Sequence, residues 1–262
     1  MAIDWGKRIK AVILDMDGVL WRGNEPIGDL PQIFKKIYSL DIKVLLATNN
    51  STRTPEQYQE KLASFGVDIS PDQVITSGIA TAFLLKNRYP QGGKVFVLGS
   101  EALKHTLKQD GFLHSEKDIL AVVVGLTRDF DYHTLGRAAL LIKAGADFIG
   151  SNPDTGLPTP EGLLPGTGAL LAFLEAATSK KPFIAGKPHQ TMMEMALKRL
   201  QVPAHEVLVI GDRLTTDIAF GQKAGCATGL TLSGITTLAE AKNWKPEIDL
   251  IGETLESIIN QL

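Results

Sequence analysis

The chain has a single cysteine, Cys226, among 262 residues. No internal disulfide can form, which fits a reducing, cytosolic setting. Long apolar runs are also missing. None approaches the roughly 18 residues that cross a bilayer, so no membrane partner is expected. The N-terminal segment carries Lys7, Arg8 and Lys10, but Asp15 stops its apolar run AVIL. No signal peptide is expected, and the location is read as cytoplasmic. Neither sign of charge dominates: 27 Lys and Arg against 29 Asp and Glu leave a net −2. That argues against a nucleic-acid partner held by bulk charge, while leaving room for a local basic pocket. No G-x-G-x-x-G follows a strand pattern, so no dinucleotide is expected. Gly186-Lys187 lacks the upstream glycine and following Ser or Thr of a P-loop. The five histidines show no metal-ligand spacing.

What is present supports a packed core: 44% hydrophobic and 21% charged residues. AVILD (11–15), KVLLATN (43–49), PFIAG (182–186) and VLVIGD (207–212) are apolar without alternation, the pattern of strands buried on both faces. Amphipathic helices separate them. Thr54-Pro55-Glu56-Gln57 reads as a capping box with proline at the first helical position, followed by Tyr58, Leu62 and Phe65 on one face and Gly66 as the stop. Asp29-Leu30-Pro31 opens another helix, carrying Ile33, Phe34, Ile37 and Leu40. Strands alternating with helices imply a parallel sheet, an α/β class.

The middle repeats this rhythm. KVFVLGS (94–100), AVVVGL (121–126) and DFIGSN (147–152) read as strands, ALKHTLKQDG and YHTLGRAALLIKAG as helices. NPDTGLPTPEGLLPGTG (152–168) reads as a long functional or hinge loop feeding the helix GALLAFLEAAT. SGIAT (77–81) and SGITT (233–237) both mark strand-to-helix turns. The expected organisation is a core in two pieces, 1–82 and 179–262, with an inserted second domain at 83–178.

Ligands of a parallel sheet bind at the carboxyl ends of its strands. Asp15 and Asp17 follow AVIL, Thr48, Asn49 and Asn50 close KVLLATNN, Lys187 follows PFIAG, and Asp212 follows VLVIG with Asp217 five residues on. Each has a local reading. Asp17-Gly18 suits a turn, Thr48 to Ser51 suits turn chemistry, Lys187 before Pro188 suits a loop, and Asp212 and Asp217 suit capping of a helix near Thr215. The joint pattern carries more weight than any one member. Carboxylates crowded together need a compensating cation, and oxygen ligands suit Mg²⁺. A hydroxyl, amides and an ammonium suit phosphoryl oxygens, and phosphoryl transfer needs chiefly such positioning and charge. A carboxylate can itself be the nucleophile.

DMDGVLW, LLATNN, AGKP and VIGDRLTTD, in that order, resemble the motifs of the haloacid dehalogenase superfamily over essentially the whole chain. The long insertion, and the run TPEGLLPGTGALLAFLEAAT returning from it, resemble the large α/β cap of its p-nitrophenyl phosphatase branch. That branch includes phosphoglycolate and pyridoxal phosphate phosphatases and some nucleotidases. The resemblance implies a Rossmann-like parallel-sheet core with helices on both faces and an inserted α/β cap domain. It implies Mg²⁺-dependent hydrolysis of small phosphomonoesters. Asp15 is then the nucleophile and a metal ligand. Asp17 is the general acid and base, and its main-chain carbonyl also binds metal. Thr48 and Lys187 hold phosphoryl oxygens, with Asn49 and Asn50 beside them, and the main-chain N–H groups of Met16, Asp17 and Gly18 add contacts. Asp212 binds metal directly, and Asp217 orients metal water or Lys187. Asp17 argues against dehalogenation, because the dehalogenases lack that second aspartate.

The rivals are a phosphotransferase or mutase of the same superfamily and a non-catalytic phosphate-binding switch. A receiver-type module fits less well, since its paired acids precede the phosphorylated one. A small phosphorylated metabolite is the expected partner. DFIGSNPD (147–154) and PTPEGLLPG (158–166) are the segments expected to read its leaving group. Cap closure is expected to exclude bulk water, and a homodimer fits the branch.

Overall fold

A computed structural model describes residues 4–159 and 161–262. Two compact units emerge. The first comprises Met1–Thr48, Pro55–Ile75 and Met193–Leu262; the second comprises Asn49–Thr54 and Thr76–Met192.

The first unit is organised on a parallel sheet. Its strands run in the order Leu250–Gly252, Ala227–Thr231, Val207–Gly211, Ala11–Leu14, Lys43–Thr48 and Val74–Thr76. Ala11–Leu14 lies centrally, in register with Val207 to Ile210 on one side and Lys43 to Leu46 on the other. All four of its residues are buried, as a strand covered on both faces requires. The helices start where their caps predict. Asp29 accepts from Gln32 N at 3.1 Å and opens Leu30–Ser39, which buries Leu30, Ile33, Phe34 and Ile37. Leu40 sits just past its end and is exposed. Pro55–Ser64 begins on its proline, buries Tyr58 and Leu62, and is followed by Gly66 at φ +80°, a left-handed stop.

The second unit has its own parallel sheet, ordered Phe183–Ile184, Asp147–Gly150, Ala121–Val124, Gly93–Leu98 and Phe112–His114. Alternate residues face opposite cores. Phe96, Leu98, Val122 and Val124 pack with Leu135, Ile142 and Leu174. Val95, Val97 and Val123 pack with Leu85, Leu103 and Leu107 on the other face. Helices therefore cover both sides of this sheet too.

Two expectations need correction. PFIAG does not join the sheet that carries Asp15. Phe183 and Ile184 pair with Ile149 and Gly150 at an edge of the second sheet, and Phe183 is 50% exposed. A short apolar run specifies a strand but not its neighbour. The 152–168 stretch is not simply loop either. Gly156–Thr159 and Gly162–Pro165 form an antiparallel hairpin, from which Thr167–Thr178 continues as a helix. Pro160, inside the stretch expected to read the leaving group, lies outside the described residues. SGITT does mark a strand-to-helix turn, between strand Ala227–Thr231 and helix Leu238–Asn243, whereas SGIAT is the first turn of helix Ser77–Arg88, which begins directly where strand Val74–Thr76 ends.

Candidate active site

In the first unit, three adjacent strands deliver polar groups to one sheet edge. Asp15 follows the central strand, Asp212 follows its neighbour Val207–Gly211, and Thr48 ends the neighbour on the other side. At this central strand the chain's progression across the sheet reverses, the place where parallel sheets bind ligands. Asp15 N donates to the Ile210 carbonyl at 2.9 Å, tying the nucleophile candidate to the strand that carries Asp212.

Asp15, Asp212 and Asp217 converge: one carboxylate oxygen from each lies within 4.8 Å of the others. Asp212 is 2% and Asp217 1% exposed. Water reaches this concentration of negative charge poorly, and like charges so placed repel. Clustered hard oxygen donors suit a divalent cation such as Mg²⁺, which completes its octahedron with waters and phosphate oxygens. The donor set thus fits the ion that the sequence implies.

Local structure explains the convergence. After Gly211 the chain enters a wide π-type turn over Leu214–Ile218, with Ile218 N reaching back to Arg213 O at 3.2 Å. Such turns are rare and frequently mark functional sites. Here the turn swings Asp217 back toward its own start, where Oδ2 accepts from Arg213 N at 3.1 Å. Asp212 Oδ2 accepts from Ile235 N at 2.9 Å, and its carbonyl from Thr236 N at 3.3 Å. Two glycines let the backbone come this close. A Cβ on Gly234 would overlap the Asp212 side chain. One on Gly18, itself at φ +86°, would lie 2.6 Å from Asp212 Oδ2.

Asp17 does not join the cluster. Residues 16–21 form a tight turn, with Leu20 N on Met16 O at 2.8 Å and Gly18 N on Trp21 O at 2.8 Å. The Gly18 N–H expected to help hold phosphate is therefore already used. Asp17 is exposed, and its Oδ1 accepts from the indole Nε1 of Trp21 at 2.7 Å.

Asn49, Asn50 and Lys187 belong to the second unit. Lys187 is 3% exposed, and its main-chain N–H donates to Asn49 Oδ1 at 2.8 Å. Asn50 Oδ1 accepts from Thr52 N at 2.8 Å and from Thr52 Oγ1 at 2.7 Å, a local turn. Sequence reasoning did not single out Trp21, Asn152 or the Ile235 N–H. Trp21 lies within DMDGVLW, four residues after Asp17, where it carries the signal of a core aromatic, and 233–237 carries only the signal of a turn.

Other chemistry is less suited to catalysis. Burial pushes the Cys226 thiol up to about 11, so it stays protonated at neutral pH. A cavity of about 620 Å³, bordered by Tyr38, Lys43, Asp72 and Arg199, lies against the amino starts of strands Lys43–Thr48 and Val74–Thr76, the end opposite the carboxylates. No described helix is long and apolar enough to cross a membrane.

Similarity to known proteins follows the same residues. Residues 12–113 match the haloacid dehalogenase-like hydrolase family, and residues 184–258 match the HAD-hydrolase-like family. An acid sugar phosphatase of Staphylococcus aureus is 36% identical over 238 residues, 90% of this chain and 92% of that protein. The p-nitrophenyl phosphatase from Archaeoglobus fulgidus superposes with a TM-score of 0.91 at 30% identity, covering 97% of this chain and 99% of that one. The glycerol phosphate phosphatase of Mycobacterium tuberculosis in complex with calcium gives a TM-score of 0.88 at 32% identity, covering 97% and 76%. The matched segments run through the strands bearing Asp15, Thr48 and Asp212. The chain belongs to the haloacid dehalogenase-like hydrolase family, in its large-cap p-nitrophenyl phosphatase branch.

Proposed function

We propose that this chain removes phosphate from small, soluble metabolites, with sugar phosphates as the first class to try, in a reaction that requires Mg²⁺. The observation that carries the reading is the convergence of Asp15, Asp212 and Asp217 at the carboxyl edge of the first sheet. The sugar-phosphate preference is drawn from the acid sugar phosphatase relative.

Asp15 and Asp212, with the main-chain carbonyl of Asp17, would hold the metal, whose charge would offset the carboxylates and the phosphoryl oxygens. Asp15 attacks phosphorus with a carboxylate oxygen. The bond from phosphorus to the ester oxygen breaks, and Asp17 passes its proton to that departing oxygen. Asp17, now a carboxylate, takes a proton from a water that attacks the aspartyl-phosphate. Inorganic phosphate leaves and Asp15 is regenerated. The Thr48 hydroxyl, the Lys187 ammonium and the Asn50 amide take the roles their motifs imply, binding phosphoryl oxygens. Asp217 would orient water at the metal site rather than bind the ion directly. On this reading residues 83–178 form the inserted cap, and the leaving group is read there.

The test is hydrolysis of p-nitrophenyl phosphate by purified protein with Mg²⁺ and with EDTA, followed by sugar phosphates, phosphoglycolate, pyridoxal phosphate and nucleotides. Mg²⁺-dependent release of nitrophenol and phosphate in equal amounts is expected. Nitrophenol released without matching phosphate, and only when a second acceptor is supplied, would make the chain a phosphotransferase instead.

A further inference from the structure

Three separated motifs meet in one buried polar node of the second unit. The Asn49 side chain pairs with the main chain of Lys187 in both directions. Lys187 N donates to Asn49 Oδ1 at 2.8 Å, and Asn49 Nδ2 donates to the Lys187 carbonyl at 3.0 Å. The same Nδ2 reaches Asp154 Oδ1 at 3.3 Å. Asn49 is itself held through its carbonyl, which accepts from Ser77 Oγ at 2.6 Å and Asn152 Nδ2 at 2.7 Å. Asn152 is fixed in turn: its Oδ1 accepts from Asp154 N at 3.1 Å, and Nδ2 also reaches Thr167 Oγ1 at 3.2 Å. Asn49, Ser77, Asn152 and Lys187 are all buried.

Only a carboxamide can both give and accept in this way. Aspartate would keep the bond from Lys187 N and lose the one to its carbonyl, and an aliphatic side chain would lose both. Buried polar groups of this kind are costly unless every member is satisfied, and satisfied networks rigidify what they hold. What this one holds is the backbone of a lysine. Its four-carbon stem is flexible, so a fixed Cα narrows where the ammonium can go.

We propose that Asn49 and Asn152 are positioning residues for Lys187. Asn152 holds Asn49, and Asn49 holds the Lys187 backbone. The amide of Asn49 is spent on that clamp rather than on substrate, and the SNPD segment serves it rather than reading the leaving group. The inference rests on the reading of Lys187 as a phosphoryl-binding group.

The experiment is a double-mutant cycle on the full chain with Mg²⁺. It measures kcat and KM for p-nitrophenyl phosphate, competitive inhibition by inorganic phosphate, and Tm for wild type, N152A, K187A and the double variant. K187A is expected to weaken phosphate inhibition. N152A is expected to weaken it too, by about tenfold, less than the roughly hundredfold that a 1 Å misplacement can cost. In the K187A background, N152A should leave phosphate inhibition where it was, while its Tm loss persists. N49Q is expected to weaken phosphate inhibition as N152A does, because the longer amide cannot meet both main-chain groups. Should N152A not fold, S77A removes one hydrogen bond at the same node and is expected to show the same coupling on a smaller scale. An N152A or S77A effect on phosphate equal in the two backgrounds, or a Tm loss without any change in phosphate inhibition, overturns the clamp. An unchanged phosphate inhibition in K187A overturns the role of Lys187 first, and the clamp with it.

Discussion

The indole Nε1 of Trp21 donates a 2.7 Å hydrogen bond to Oδ1 of Asp17. Trp21 is fully buried, lies 6.2 Å from Tyr58 in a stacked arrangement, and has Lys61 Nζ 4.0 Å from its ring centre. Asp17 is exposed, so a rigid donor restrains one oxygen of a carboxylate that otherwise faces solvent. Trp21→Phe keeps most of the packing and removes the donor. We expect kcat to fall about tenfold for an alkyl or sugar phosphate, whose departing oxygen needs a proton, and much less for p-nitrophenyl phosphate. Equal losses with both substrates would mean that Trp21 serves packing alone.

A methyl group added at Gly234 must push on Asp212, whose carboxylate already accepts from Ile235 N. Gly234→Ala is therefore expected to raise the Mg²⁺ concentration for half-maximal activity by about tenfold, the lower end of what groups that orient a metal ligand contribute. A Mg²⁺ titration checks this. An unchanged midpoint would show that Asp212 is not placed by this contact.

Metal-free protein carries the crowding of Asp15, Asp212 and Asp217 without its counter-ion. On the proposed function Mg²⁺ binds only the folded site, so at about 100 times its dissociation constant it should stabilise the fold by about 2.7 kcal/mol. Asp217→Asn removes one negative charge from the cluster. We expect its metal-free Tm to rise by about 2–4 °C, for about 1 kcal/mol of relieved repulsion in a chain of this size, and its Mg²⁺-induced shift to shrink. Differential scanning fluorimetry with EDTA and with Mg²⁺ gives both numbers. A lower metal-free Tm would mean that the Asp217 bond to Arg213 N outweighs the repulsion.

His114 adds a pH dependence in the second unit. Its Nδ1 accepts from Val97 N at 3.0 Å, which requires that nitrogen to be unprotonated. Burial, then the positive charge of Lys104, lowers its pKa below the ordinary 6.5. The unfolded chain therefore takes up the proton first as pH falls. The stabilisation is full above about pH 6.5 and is lost below it, toward the folded value. Tm measured against pH should fall more steeply below pH 6.5 in wild type than in His114→Gln. Parallel curves would contradict this.

Much of the site was legible because it sits where local rules are strong. Asp15 and Asp212 end apolar runs that could only be buried strands, and Asp29 and Pro55 start helices by capping chemistry alone. Pairing partners were not legible. Phe183-Ile184 carries the same apolar signal as a strand of the first sheet, and only tertiary packing assigns it to the second. The Gly156–Pro165 hairpin was hidden by prolines and glycines that suit loops equally well. Trp21, Gly234 and Asn152 make their contacts with residues distant in the sequence or one turn away. Composition and periodicity register them as core, turn and strand end.

The central claim is that Asp15 carries the phosphoryl group. The most direct measurement is mass spectrometry of acid-quenched protein after brief incubation with p-nitrophenyl phosphate and Mg²⁺, beside Asp15→Asn. A phosphoryl mass increase on the peptide containing Asp15, absent with EDTA and absent in the variant together with turnover, is the predicted result. Turnover that persists in Asp15→Asn, or an adduct on any other residue, would contradict it.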